Sequence, residues 1–173
     1  AKSCANRGAN VTLILGPTSL TLENPSIKVE RIQSAQEMYD AVNQCFEQID
    51  IAIFAAAVAD YRPASVSLTK IKKKDDDLSL PLVKTIDIAA TIGAKKSDKQ
   101  ILVGFALETN DEIINANSKL HKKNLDFIVL NSLNDPGAGF GIDTNKITMI
   151  DKDNNQTFFE LKSKTEVAKD IVA

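Results

Sequence analysis

The sequence predicts an α/β fold: a Rossmann-like, doubly wound, mainly parallel sheet with helices on both faces. Two observations carry this expectation. The stretches IAIFAAAVA from Ile51, ILVGFAL from Ile101 and LDFIVLN from Leu125 are continuously apolar rather than alternating, as strands covered on both faces are. Segments with helical periodicity separate them, and that succession builds parallel crossover units. With 173 residues, 43% apolar content and a formal charge of −2, the chain fits one domain spanning 1–173.

The elements follow in order. Ala1 to Arg7 reads as a helix closed by Gly8, a residue that accepts the left-handed cap conformation, and VTLIL from Val11 to Leu15 as a buried strand ended by Gly16-Pro17. Ser26 to Ile32 alternates as a second strand. Ser34 and Glu37 then stand at capping-box spacing before an amphipathic helix to about Glu47. The central run from Ile51 is expected to continue to Ala59 and stop at Asp60. Tyr61 to Asp77 is a polar, lysine-rich excursion, too long for a routine connection, and Leu78 to Lys84 returns as a short strand. Helices are expected from about Asp87 to Lys95 and from Asp111 to Lys123. After the turn-forming loop LNDPGAGFG, strands near Ile147 to Ile150 and Phe158 to Leu161 precede a last helix, with Ser163 and Glu166 again at capping-box spacing.

Composition excludes several functions. The 21 basic and 23 acidic residues provide no global field to hold nucleic acid or an anionic membrane, so anion recognition must come from local clusters. No apolar run reaches the roughly 18 residues of a membrane span. Cys4 and Cys45 lack CxxC spacing and read as buried thiols of a reducing, cytoplasmic setting; His121 has no neighbouring ligand and reads as an exposed helical histidine. The N-terminus lacks the apolar core of a signal peptide and reads as a chain that begins partway through its fold.

Doubly wound sheets bind ligands beyond the carboxyl ends of their strands, which directs attention to the residues after Ala57, Leu107 and Leu130. AAAVADYRP sets small side chains at such an end, room for a flat ring to approach the backbone or for a helix to pack closely. The lysines at 70, 72, 73 and 74 suit a solvated loop; equally, Lys70 and Lys72 would face one way in an extended segment and reach neighbouring phosphate oxygens. The acidic run Asp75 to Asp77 balances this charge or approaches Mg²⁺. Lys119 and Lys123 lie four apart on one helix, a repulsion of about 0.2–0.5 kcal/mol that a polyphosphate would reverse. They also suit a basic helix terminus facing the helix dipole. Phe105 is a core residue or a stacking partner for a base, beside a Gly104 that permits close approach. GxGxxG, GxxxxGK[ST] and GxSxG are all missing, which removes the main support for dinucleotide, P-loop and hydrolase readings.

In order and at matching spacing, RGANVTLILGP, the Glu37-Met38 pair, AAVADYRP with KIKK following, the Asp87-Ile88 pair, VGFALET and KKNLDFIVLN resemble phosphopantothenoylcysteine synthetase over nearly the whole chain. The resemblance implies a ligase that joins 4′-phosphopantothenate to L-cysteine through an acyl-nucleotide, using CTP in bacterial members, with Mg²⁺ neutralising the triphosphate. It implies a nucleotide site made by Phe54, Ala55, Ala56, Asp60, Lys70, Ile86, Asp87, Ile88, Ala89, Phe105, Lys119 and Lys123, with Lys70 catalytic; it assigns no metal ligand. Members dimerise, and many are fused behind a flavin-dependent decarboxylase, to which any FMN would belong. Where the family commonly carries Asn-Pro, this chain has Thr85 and Ile86, and the family's opening strand and glycine-rich segment would precede Ala1. A noncatalytic nucleotide-binding module of the same fold is the alternative expectation.

Overall fold

Local signals determine most element ends in the computed structural model of the chain, which describes residues 1–72, 78–135, 137–138 and 141–173. Helix α1 (Lys2–Ala5) is shorter than its sequence suggests, and Gly8 at φ 87° reverses the chain into β1 (Val11–Leu15). Strand β2 (Ile27–Arg31) pairs in parallel with β1 as a separate two-stranded sheet. Ser34 caps α2 (Ala35–Cys45) by accepting the Glu37 N–H, and a single 3₁₀ turn, Phe46–Gln48, continues the helix to the expected end.

Strand β3 (Ile51–Phe54) leads to an antiparallel ribbon of β4 (Tyr61–Pro63) and β5 (Leu82–Lys84), the two ends of the polar excursion. Then come α3 (Ile88–Gly93), β6 (Ile101–Glu108), α4 (Glu112–Lys122) and β7 (Phe127–Ser132). Strand β8 (Thr144–Asn145) precedes β9 (Ile147–Asp151) and β10 (Gln156–Phe158), with β11 (Lys162–Ser163) running into α5 (Lys164–Ile171). Ser163 and Glu166 complete a reciprocal capping box on α5, as their spacing predicts.

The main sheet has the order β10-β9-β7-β6-β3. Its β3, β6 and β7 are parallel, whereas β9 and β10 add as an antiparallel edge. Alternate residues divide its two faces. Leu102 and Ala106 of β6, with Ile128 and Leu130 of β7, pack against Phe46, Ile88, Ile92, Ala116 and Leu120 from the helical side of α2, α3 and α4. Val103 and Val129 pack on the opposite face with Ile147 and with Val167 of α5. Helices on both faces are therefore present, as expected.

Strand β3 corrects two expectations. It ends at Phe54, five residues before Ala59, because its ladder with β6 stops at the Phe54–Gly104 pair and the alanines beyond have weak strand preference and no strand partner among the described residues. It is also an edge, covered on one face only: Ala52 and Phe54 meet the core while Ile51 and Ile53 are 55% and 38% exposed. The final hairpin strand is displaced as well, to Gln156–Phe158 rather than Phe158 to Leu161, since Asp151 organises the turn by accepting the N–H groups of Asp153 and Asn155. Both cysteines are free, and each is half-buried rather than buried. Burial raises the Cys45 thiol above its ordinary pKa.

Two close contacts hold the parallel strands and their helices in place. The Asp126 carboxylate accepts the Leu102 N–H at 2.7 Å and takes Lys96 at 2.7 Å on each oxygen, in a pair whose side chains are 12% and 17% exposed. This fastens the start of β6 beside the start of β7. Gly93, at the end of α3, lies against the main chain of Lys123, and Asn124 donates to the Gly93 carbonyl at 2.9 Å.

Candidate functional site

The end of α4 and the start of α3 converge beside the carboxyl end of β3. Together they enclose a cavity of about 40 Å³ lined by Phe54, Ala89, Gly104, Phe105, Lys119, Lys123, Leu125 and Ile128. That volume is far below the roughly 300 Å³ of a small-ligand pocket, so a larger ligand would lie across its mouth. Five of the residues suggested by the sequence, Phe54, Ala89, Phe105, Lys119 and Lys123, are thus brought together, and Asp87 joins them through Lys123.

The lysine pair of α4 is not left in mutual repulsion. Lys119 is paired with Glu108 at the end of β6, and Lys123 meets Asp87 at 3.1 Å. Each lysine is therefore met by its own carboxylate from the chain itself. Asp87 also accepts the Ala90 N–H at 3.0 Å as the cap of α3. Burial works to raise its carboxyl, but the Ala90 N–H and the Lys123 ammonium outweigh it and hold the group below the usual carboxylate value.

Several suggested residues have other surroundings. The Phe105 ring packs against the face covered by α5, with Val103, Val129 and Val167, so its side chain belongs to the second core. Ile88 is likewise buried in the first core, 6% exposed. The close approach at Gly104 is filled by Leu125, whose Cδ1 lies 2.4 Å from where a Cβ would stand. Ala55 is exposed just past β3, and Ala56 borders a second cavity of about 330 Å³ between the carboxyl ends of β1 and β3, lined by Leu15 to Thr18, Ile32 to Ala35, Met38 and Ala56 to Val58. Among the described residues no charged side chain lines it.

Asp60 is exposed, and its carbonyl accepts the Thr85 N–H at 2.8 Å, which brings it beside Ile86 and Asp87. Lys70 is exposed on the excursion and borders neither cavity. Lys73, Lys74 and the acidic run 75–77 lie outside the described residues. His121 is exposed at the end of α4, as expected. Among the described residues no group of three or more His, Cys, Asp or Glu could hold a metal ion, and no helix is long and apolar enough to cross a membrane.

Sequence reasoning missed Glu108. The available signal was an acid closing an otherwise apolar strand, within GFALE.

Known proteins resemble this architecture. Over 172 residues, 99% of this chain, it is 55% identical to a cysteine/cysteine sulfinic acid decarboxylase of an unknown prokaryotic organism, matching 48% of that protein. It is 42% identical to the coenzyme A biosynthesis bifunctional protein CoaBC of Bacillus subtilis (strain 168), again over 99% of this chain and 42% of that protein. The chain spans less than half the length of these relatives. The crystal structure of the C-terminal domain of a CoaBC protein superposes with a TM-score of 0.79 at 40% identity, covering 98% of this chain and 76% of that one. Across residues 1–173 the sequence matches the family described as the DNA/pantothenate metabolism flavoprotein C-terminal domain, and the chain belongs to that family.

Proposed function

We propose that this chain is a phosphopantothenate–cysteine ligase domain. A carboxylate oxygen of 4′-phosphopantothenate attacks the α-phosphorus of CTP, the α–β bond breaks and pyrophosphate leaves with its electron pair. The amine of L-cysteine then attacks the acyl carbon of the resulting acyl-cytidylate, an amide forms, CMP leaves and the amine gives up a proton. The observation that carries this reading is the pairing of 42% identity to CoaBC with a lysine-bearing cavity beside the carboxyl end of a parallel strand.

Chemistry of this kind asks for cations that stabilise charge on the α-phosphate and pyrophosphate rather than for a protein nucleophile. Lys119 and Lys123 supply two at the cavity, and Lys70 is the catalytic candidate on the excursion between β4 and β5. Mg²⁺ would enter with the triphosphate, whose oxygens provide its ligands. Ala55, Ala56 and residues 86–89 would face the nucleotide with backbone groups. The setting is cytoplasmic, and a flavin-dependent decarboxylase preceding this domain would hold its own FMN.

A homodimer is part of the proposal. The β4–β5 ribbon is exposed throughout, and around it Val66, Leu68, Leu78 and Leu80 are at least half exposed, with Leu68 at 100%. An isolated two-stranded ribbon is marginal in water, and a second copy would cover these apolar side chains. Sedimentation of the full-length polypeptide tests it.

The decisive experiment incubates full-length polypeptide with phosphopantothenate, cysteine and each of CTP, ATP, GTP and UTP, following product mass and pyrophosphate. Mass of the amide with CTP, and a loss of about 100-fold in Lys70→Gln, are expected. Binding of CTP without any cysteine-dependent product would instead identify a noncatalytic module, and preference for ATP would overturn the CTP assignment.

A further inference from the structure

The two ion pairs at the cavity are oriented in opposite senses. In Lys123–Asp87 the lysine is the deeper partner, 27% exposed against 48% for the carboxylate. In Lys119–Glu108 the order reverses: Glu108 is 13% exposed and Lys119 is 44%. A carboxylate held that far from water is costly unless a cation meets it, so Glu108 fixes where the Lys119 ammonium can be. An ammonium carries three N–H donors, and one carboxylate contact leaves others for a ligand.

We infer that Glu108 is a positioning residue of the nucleotide site: it anchors the Lys119 ammonium at the cavity mouth, so that nucleotide oxygens meet a donor already in place. The inference rests on the nucleotide-binding reading given above. Without Glu108 the long lysine stem regains its rotamers, and the ligand must order it on binding. A carboxylate that merely neutralised the pocket would act with the opposite sign, since its removal would leave net positive charge and strengthen binding of a polyanion.

The test is a double-mutant cycle on the full-length polypeptide, with CTP affinity measured by calorimetry for the wild type, Glu108→Gln, Lys119→Gln and the double variant. Glu108→Gln is expected to weaken CTP about tenfold, the scale of one charge-assisted hydrogen bond, and the double variant to bind no worse than Lys119→Gln alone. Glu108→Asp keeps the charge one methylene shorter, so it should lie between wild type and Glu108→Gln; it carries the same cycle if Glu108→Gln does not fold. Binding in Glu108→Gln equal to or tighter than wild type overturns the inference, as do single effects that simply multiply in the double variant. A folded wild type without CTP affinity overturns the nucleotide reading itself, which separates the two failures.

Discussion

Replacing Gly93 by alanine should separate α3 from α4 and disturb the site through the backbone alone. An added Cβ would stand 1.9 Å from the Lys123 carbonyl oxygen and 2.9 Å from its carbon. Carbon and oxygen pack at about 3.3 Å, so roughly 1.4 Å of separation must come from moving one helix end against the other. The obstacle is main chain and cannot rotate aside. That places the cost at the upper end of overpacking, about 3 kcal/mol, or a fall in Tm of about 6–12 °C for a domain of this size. Gly104→Ala is the control: its Cβ would meet Leu125 Cδ1 at 2.4 Å, but the next atoms lie at 3.6 Å, so a rotation of one side chain relieves the clash at about 1–2 kcal/mol. Thermal unfolding followed by circular dichroism measures both. A Gly93→Ala protein within about 2 °C of wild type, or one harmed less than Gly104→Ala, would refute this account of the α3–α4 contact.

Two further outcomes follow from the polar contacts. Asp126→Ala leaves Lys96 without its partner and the Leu102 N–H without an acceptor, so denaturant unfolding should show a loss of about 3–5 kcal/mol, and Asp126→Asn, which keeps an acceptor, should lose less. Asp87 has its carboxyl lowered in the folded chain relative to 3.8. Its charge therefore adds stability that is fully present above the unfolded value and disappears as pH falls through the lower folded value. Asp87→Asn preserves the cap without the charge, so the Tm difference between wild type and variant should narrow as pH drops below 3.8; a difference that stays constant into that range contradicts the assignment.

The local parts of this structure were legible in the sequence. Strand β1 spans Val11–Leu15, as VTLIL suggests, and Ser34 and Ser163 begin their helices because a cap is decided by residues within one turn. Legibility failed where pairing between distant segments takes over. The apolar run after Ile51 says nothing of where its neighbour stops, so the early end of β3 was hidden, and β8 and β11 are two residues each, held by pairing across the β9–β10 hairpin. At the site, Lys119 and Lys123 were recognised from their spacing and their pairing partners were not. Glu108 lies 11 positions from Lys119, on a different kind of element, where no helical or strand period connects them. Phe105 was ambiguous because a strand apolar on both faces does not reveal which face a given side chain takes.

The alternation along β6 has a consequence for folding fidelity. Gly104 must leave room for Leu125, while its neighbours Val103 and Phe105 point into the α5 side, and the register with β7 pairs Val103 with Phe127, Gly104 with Ile128 and Phe105 with Val129. A strand this uniformly apolar could slide by one step without any gain or loss of hydrophobicity. Such a slip would drive a valine or a phenylalanine into the space Leu125 fills, so the glycine acts as an error check that lets only one alignment of the sheet close.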